Sequence, residues 1–205
     1  MVGAMFGYAI AAADLNWDGY SDLIVGAPFY GLFDSPNTGR IVAYLSDKES
    51  KFHDPVVVTG MVAGGMFGMA ISSLGDIDLD GYEDVAVAAP FIGSLQSGEV
   101  YIYRGSEYGL RNIASQVIQQ VMLKAFGYAL ANAIDIDGNH YPDLLVGAYQ
   151  SQRVVLFRSR PVVVVTAKFT TYPTAVDIET SSCNYIQNYD TWSTFVRSGS
   201  SAKSL

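Results

Sequence analysis

The stretch Asp76-Ile77-Asp78-Leu79-Asp80-Gly81-Tyr82-Glu83-Asp84, followed by Val85-Ala86-Val87-Ala88-Ala89-Pro90, decides how this chain is read. Its aspartates stand at positions one, three, five and nine of a nine-residue loop, and an apolar run follows without a gap. The same frame occurs twice more. Upstream it is Asp14-Leu15-Asn16-Trp17-Asp18-Gly19-Tyr20-Ser21-Asp22 before Leu23-Ile24-Val25-Gly26-Ala27-Pro28. Downstream it is Asp135-Ile136-Asp137-Gly138-Asn139-His140-Tyr141-Pro142-Asp143 before Leu144-Leu145-Val146-Gly147-Ala148-Tyr149. A Phe-Gly pair precedes each loop, at Phe6-Gly7, Phe67-Gly68 and Phe126-Gly127. The pairs are 61 and 59 residues apart and the loops 62 and 59. Periods of this length mark a stacked or radial repeat.

Within each unit the elements read as strands. Leu23 to Val25, Val85 to Val87 and Leu144 to Val146 are short apolar runs that begin directly after the acidic turn. Ile41 to Tyr44, Val100 to Tyr103 and Val154 to Phe157 follow, rich in β-branched and aromatic residues. About sixty residues with about four short strands is the size of a propeller blade, and a solenoid coil would be shorter. The expected fold class is all-β, a partial β-propeller of three blades over about 1–60, 61–120 and 121–160. Ile113 to Lys124 carries some helical propensity and is the weakest of these strand-rich readings. After Arg160-Pro161 the pattern changes. Val162 to Thr166 and Lys168 to Thr171 read as strands of a new β domain over 161–205, which stops unfinished in a polar, frayed tail.

The loops carry a chemistry as well as a fold. Oxygens at positions one, three, five and nine point inward and position seven gives its backbone carbonyl, an all-oxygen shell of the kind Ca²⁺ takes. The first loop would use Asp14, Asn16, Asp18, Asp22 and the Tyr20 carbonyl. The second would use Asp76, Asp78, Asp80, Asp84 and the Tyr82 carbonyl, and the third Asp135, Asp137, Asn139, Asp143 and the Tyr141 carbonyl. Up to three structural Ca²⁺ ions are therefore expected. An EF-hand fails at position twelve, where Val25, Val87 and Val146 replace the bidentate Glu, and the flanks are not helical. Mg²⁺ fits less well because it keeps its waters and a near-octahedral shell. Asp, Asn and Gly also make good hairpin turns without any ion, but three loops with acid or amide at the same four positions speak for ligands. Formal charges of −3, −4 and −3 on the ligand side chains rank the second loop tightest at equal rigidity. In the third loop His140 replaces the position-six Gly, and His is among the non-glycine residues that best tolerate positive φ. His140 itself is not expected to ligate, since imidazole suits an oxygen-lined Ca²⁺ site poorly.

Composition sets the outer limits. Half of the 205 residues are apolar and 16% are charged, enough to bury a core. A formal net charge of −8 with no Lys/Arg cluster argues against a nucleic-acid partner. Ten of the twenty acidic residues are loop aspartates, and three divalent ions would add six positive charges to relieve their repulsion. No stretch approaches eighteen apolar residues, so no membrane-spanning segment is expected. Met1 to Ala13 is Ala-rich, but Met5-Phe6-Gly7-Tyr8-Ala9-Ile10 parallels Met66-Phe67-Gly68-Met69-Ala70-Ile71, so it reads as structure rather than a targeting signal. Cys183, the single cysteine, is either a buried thiol or one half of a pair whose partner is absent. The two histidines, His53 and His140, form no recognisable nucleophile-base arrangement, so no catalysis is expected.

Phe-Gly with Gly26-Ala27-Pro28, and Phe-Gly with Ala88-Ala89-Pro90, flank the acidic loops as in the FG-GAP repeats of integrin α subunits, which this chain resembles over about residues 1–160. The third unit departs by ending Gly147-Ala148-Tyr149. The resemblance implies the last three blades of a seven-bladed propeller, with four blades and the ring-closing strand missing. Phe157-Arg158-Ser159-Arg160-Pro161-Val162-Val163 is similar to the passage into the family's thigh domain, a β-sandwich. It further implies the extracellular part of a single-pass plasma-membrane receptor that pairs with an integrin β subunit. Such a receptor binds an extracellular-matrix or cell-surface protein ligand in cell-matrix or cell-cell adhesion. An alternative is the repeat portion of a secreted enzyme such as a glycosylphosphatidylinositol-specific phospholipase D.

Overall fold

In the computed structural model the described residues are 3–49, 51–93, 95–133 and 135–160. They lie in the first of the two units into which the chain divides, Met1–Val163 and Val164–Leu205. The strands expected at 162–166 and 168–171, Cys183 and the polar tail fall outside the described residues.

Three antiparallel sheets follow one another along the chain. The first holds β1 (Ile10–Ala13), β2 (Asp22–Ala27), β3 (Arg40–Tyr44) and β4 (Val56–Thr59), and its strands pair in sequence order. The second repeats that order with β5 (Ala70–Gly75), β6 (Asp84–Ala89), β7 (Glu99–Tyr103) and β8 (Gln116–Gln119). The third contains β9 (Phe126–Ala133), β10 (Asp143–Ala148) and β11 (Arg153–Phe157), with a 3₁₀ turn at Tyr149–Ser151 between the last two. Each acidic loop joins the first and second strands of its sheet. The first strands of successive sheets lie side by side, β1 beside β5 and β5 beside β9. This is a partial β-propeller, all-β as expected from the strand-like runs of each unit.

Two expectations need correction. The helical propensity over Ile113 to Lys124 is overridden, because β8 runs through it. Val117 pairs with Tyr101 and Ile118 with Val100, and Ile118 packs on the core between the second and third sheets. The third unit also has three strands among the described residues, where four were expected.

Two cores hold the sheets together. Leu15, Ile24, Ile41, Ala43 and Val58 of the first sheet meet Phe67, Val85, Val87, Ala89 and Tyr103. Ala86, Ala88, Val100 and Ile102 of the second meet Phe126, Leu144, Val146 and Ala148 of the third. The residues of β6 thus alternate between two cores, and all six are buried. That explains why Val85 to Ala89 is apolar without a polar alternation.

The Phe-Gly pair is explained by its neighbours. Gly68 donates its N–H to the Ala88 carbonyl and Gly7 to Gly26, tying each pair to the motif after the acidic loop. Phe67 then seats on the previous sheet, its N–H bonded to the Thr38 carbonyl and its own carbonyl lying against Gly39. A Cβ on Gly39 would stand 2.1 Å from the Phe67 oxygen, and one on Gly98 would stand 2.1 Å from the Phe126 oxygen. Only glycine permits that approach.

Candidate metal centres

Each loop is folded by the same internal bonds. Position one accepts from the backbone ahead of it: Asp14 receives the N–H groups of Asp18 and Gly19, and Asp76 those of Asp80 and Gly81. Asp135 receives Gly138, Asn139 and His140. Position five accepts from position seven, Tyr20 donating to Asp18, Tyr82 to Asp80 and Tyr141 to Asn139 at 2.8–3.0 Å. These are Asx turns, the reason Asp and Asn are needed there whether or not an ion is present.

Position nine is the anchor. Asp22, Asp84 and Asp143 are 1%, 0% and 1% exposed. One carboxylate oxygen of each accepts the N–H of position two, from Leu15, Ile77 or Ile136. The other accepts an N–H just past the third strand, from Ser46, Gly105 or Ser159. The carboxylate therefore ties its loop to the far side of its own sheet. Burial pushes Asp84 up to about 6, against the lowering effect of the Gly105 N–H and the Arg104 guanidinium. Asp22 is raised for the same first reason, as is Asp78. For Asp135 the desolvation cost is outweighed by its three backbone donors, which hold its carboxyl below the ordinary range.

Backbone strain falls at two positions of the loop. Position six is left-handed in all three, with φ of 87° at Gly19, 97° at Gly81 and 71° at His140. Position four is left-handed too, at Trp17, Leu79 and Gly138. The third loop has placed its glycine at the other of the two strained sites, so His140 carries the cost there.

The acids do converge. Oxygens of Asp76, Asp78 and Asp84 lie within 4.8 Å of one another, as do those of Asp135, Asp137 and Asp143. Asp80 stands outside the first group, engaged with Tyr82. In the first loop no such trio of acids is assembled among the described residues, because position three is Asn16. Its amide donates to Asp18 at 3.0 Å, leaving the Asn16 Oδ1 buried without a hydrogen-bond partner. Asp78 Oδ1 is orphaned in the same way. Both orphans sit at position three. A buried oxygen with no donor is costly, and a hard cation is the group that an all-oxygen loop would offer it. The residues present therefore fit a hard cation such as Ca²⁺, which Asp76, Asp78 and Asp84 would hold in the second loop and Asp135, Asp137 and Asp143 in the third. It would supply fixed positive charge that offsets part of the repulsion between the loop's carboxylates.

Two participants were not read from sequence. Arg104 Nη1 approaches Asp84 Oδ2 at 2.6 Å and Asp78 Oδ2 at 3.2 Å. Glu83 links neighbouring loops, its carboxylate accepting the Asp14 N–H at 2.9 Å while its own N–H donates to the Asp14 carbonyl at 3.1 Å. Pro142 stands at Glu83's place in the third loop and has no N–H to give. The only sequence trace of Arg104 is its place two residues before Ser106 and just past β7, matched by Leu45 and Arg158 after the other third strands.

The FG-GAP repeat family matches residues 6–44, 67–103 and 126–157 of this chain. Integrin alpha-8 of Mus musculus is 40% identical over 191 residues, covering 89% of this chain and 18% of that protein. Integrin alpha-7 of Rattus norvegicus is 42% identical over 182 residues, 87% of this chain and 16% of that protein. Integrin alpha-PS2 of Drosophila melanogaster is 37% identical over 207 aligned positions, 92% of this chain and 15% of that protein. The chain thus spans less than a fifth of the length of these relatives.

Proposed function

The chain belongs to the FG-GAP repeat family, and on that premise we propose that it is a calcium-binding, non-catalytic propeller segment of an integrin-like adhesion receptor α subunit. In this reading blades lie at about 1–60, 61–120 and 121–160, and a thigh-like β domain begins at 161. The full-length receptor pairs with a β subunit, stands outside the cell on a single membrane span, and binds a matrix or cell-surface protein. No helix of the described residues is long and apolar enough to cross a membrane. The relatives named above give no support to the phospholipase-type alternative.

The observation that carries the calcium reading is the orphaned position-three oxygen, at Asn16 and again at Asp78. A turn-forming loop needs positions one, five and nine, which the backbone N–H groups already satisfy. It does not need a buried acceptor at position three with nothing to accept. The ions are structural, since each loop is locked to its own sheet through position nine. Calorimetric titration with Ca²⁺, followed by thermal melts with and without the ion, tests this. Two or three sites at about 10⁻⁴–10⁻³ M, with a raised melting temperature, are expected. A folded sample that takes up no calcium would leave the loops as turns only.

A further inference from the structure

Among the described residues Arg104 is the basic side chain that ion pairs bring into an acidic loop; the other pairs, Lys51 with Glu49 and His53 with Asp47, lie elsewhere. One nitrogen, Nη1, serves both Asp78 and Asp84, two of the three acids that converge in the second loop. The Arg104 side chain is 21% exposed and that of Asp84 is sealed from solvent, so solvent screens this contact little. Its N–H groups take up oxygen lone pairs that a divalent ion would use. Asp78 Oδ1 remains open beside it.

The other two loops lack this contact. After β3 the corresponding residue is Leu45, which packs on the core between the first and second sheets and has no charge. After β11 it is Arg158, which is exposed and makes no ion pair with the third loop among the described residues. Arg104 also lines a cavity of about 380 Å³ between the second and third sheets, with Gln116, Arg158 and Ser159 among its walls. There is room beside the loop for the guanidinium to leave it.

We propose that Arg104 is a tethered cation for the second loop. It holds Asp78 and Asp84 in place while the loop is free of metal, and it withdraws into the adjoining cavity when a divalent ion binds. The proposal rests on the calcium reading above and reverses its ranking by charge. The loop with four ligand carboxylates binds Ca²⁺ more weakly than the other two, because part of its affinity is spent on displacing a charge that is already there.

The test is a calorimetric Ca²⁺ titration of this chain as wild type, Arg104→Gln, Arg104→Lys and the double variant Arg104→Gln/Asp80→Asn. Arg104→Gln is expected to tighten one site by roughly tenfold, the double variant to lose that gain, and Arg104→Lys to lie between. Wild type and Arg104→Gln that bind calcium with the same affinities would overturn the tethered cation and leave the calcium reading standing. A folded wild type and variants that all bind no calcium would overturn both. Should Arg104→Gln unfold in chelator, the Ca²⁺ concentration that restores its circular dichroism replaces the affinity. Restoration below the wild type's weakest binding midpoint supports the proposal, and none at millimolar Ca²⁺ overturns it.

Discussion

Asp22, Asp84 and Asp143 do their structural work as acceptors for two backbone N–H groups each, before any ion is considered. Replacing Asp22 by Ala strands the N–H groups of Leu15 and Ser46, both buried. A loss of about 2–4 kcal/mol is expected from urea denaturation in chelator. Asp80→Asn keeps the turn to Tyr82 and removes one charge, so the expected outcome is weaker Ca²⁺ binding at the second loop with little change in metal-free stability. At position six of the third loop, His140→Gly relieves a left-handed residue at φ 71°; a gain of up to about 1 kcal/mol is expected. The pH dependence has a defined sign. In the metal-free chain Asp84 is raised to about 6 by burial, whereas an unfolded Asp titrates near 4. Between those values the folded state holds the extra proton, so its contribution is full below about pH 4 and is lost as pH rises to about 6. Asp22 and Asp78 shift the same way. Melts in chelator should therefore fall from pH 4 to pH 6, and saturating Ca²⁺ should abolish that fall. The loop acids were legible in sequence because their spacing is local. Arg104 was not, since its approach to Asp84 depends on the β6–β7 register that carries it across 20 positions of chain.

The second and third strands of each sheet were legible for the same reason, repeated three times over: each apolar run follows its turn directly, whereas the first and fourth strands and the pairing order were not placed. What sequence could not supply was the choice between helix and strand over Ile113 to Lys124. Propensity there is outvoted by pairing with β7 and burial of Ile118. The reason for Gly39 and Gly98 was also hidden, because it lies in the next unit. Gly98→Ala would drive a Cβ into the Phe126 carbonyl at 2.1 Å and also strain a backbone at φ 81°. A destabilisation of about 3 kcal/mol or more is expected, read as a lowered melting temperature. Gln152 stands at the matching place before β11, with φ 52°.

At the scale of the whole described unit, two sheet faces have no sheet against them. Ile10, Val25, Val42 and Val57 lie in one row across the first sheet, on the face away from the second; Val25 and Val42 are buried, but Ile10 is 62% and Val57 46% exposed. On the third, Val154 is 70% exposed and Ile136 53%, whereas Leu15 at the same loop position in the first unit is fully buried. Terminal units of a repeat need such faces covered. Sedimentation of this chain alone should therefore show concentration-dependent association, and a strictly monomeric boundary would contradict it. The second sheet has the opposite situation. Its strand β6 divides its side chains between both cores and pairs on both edges, to β5 and β7. Its amides cannot meet solvent by fraying of one face or one edge. In deuterium they should be the last to exchange, at a rate set by global opening, so the slowest protons in this molecule report on all three blades at once.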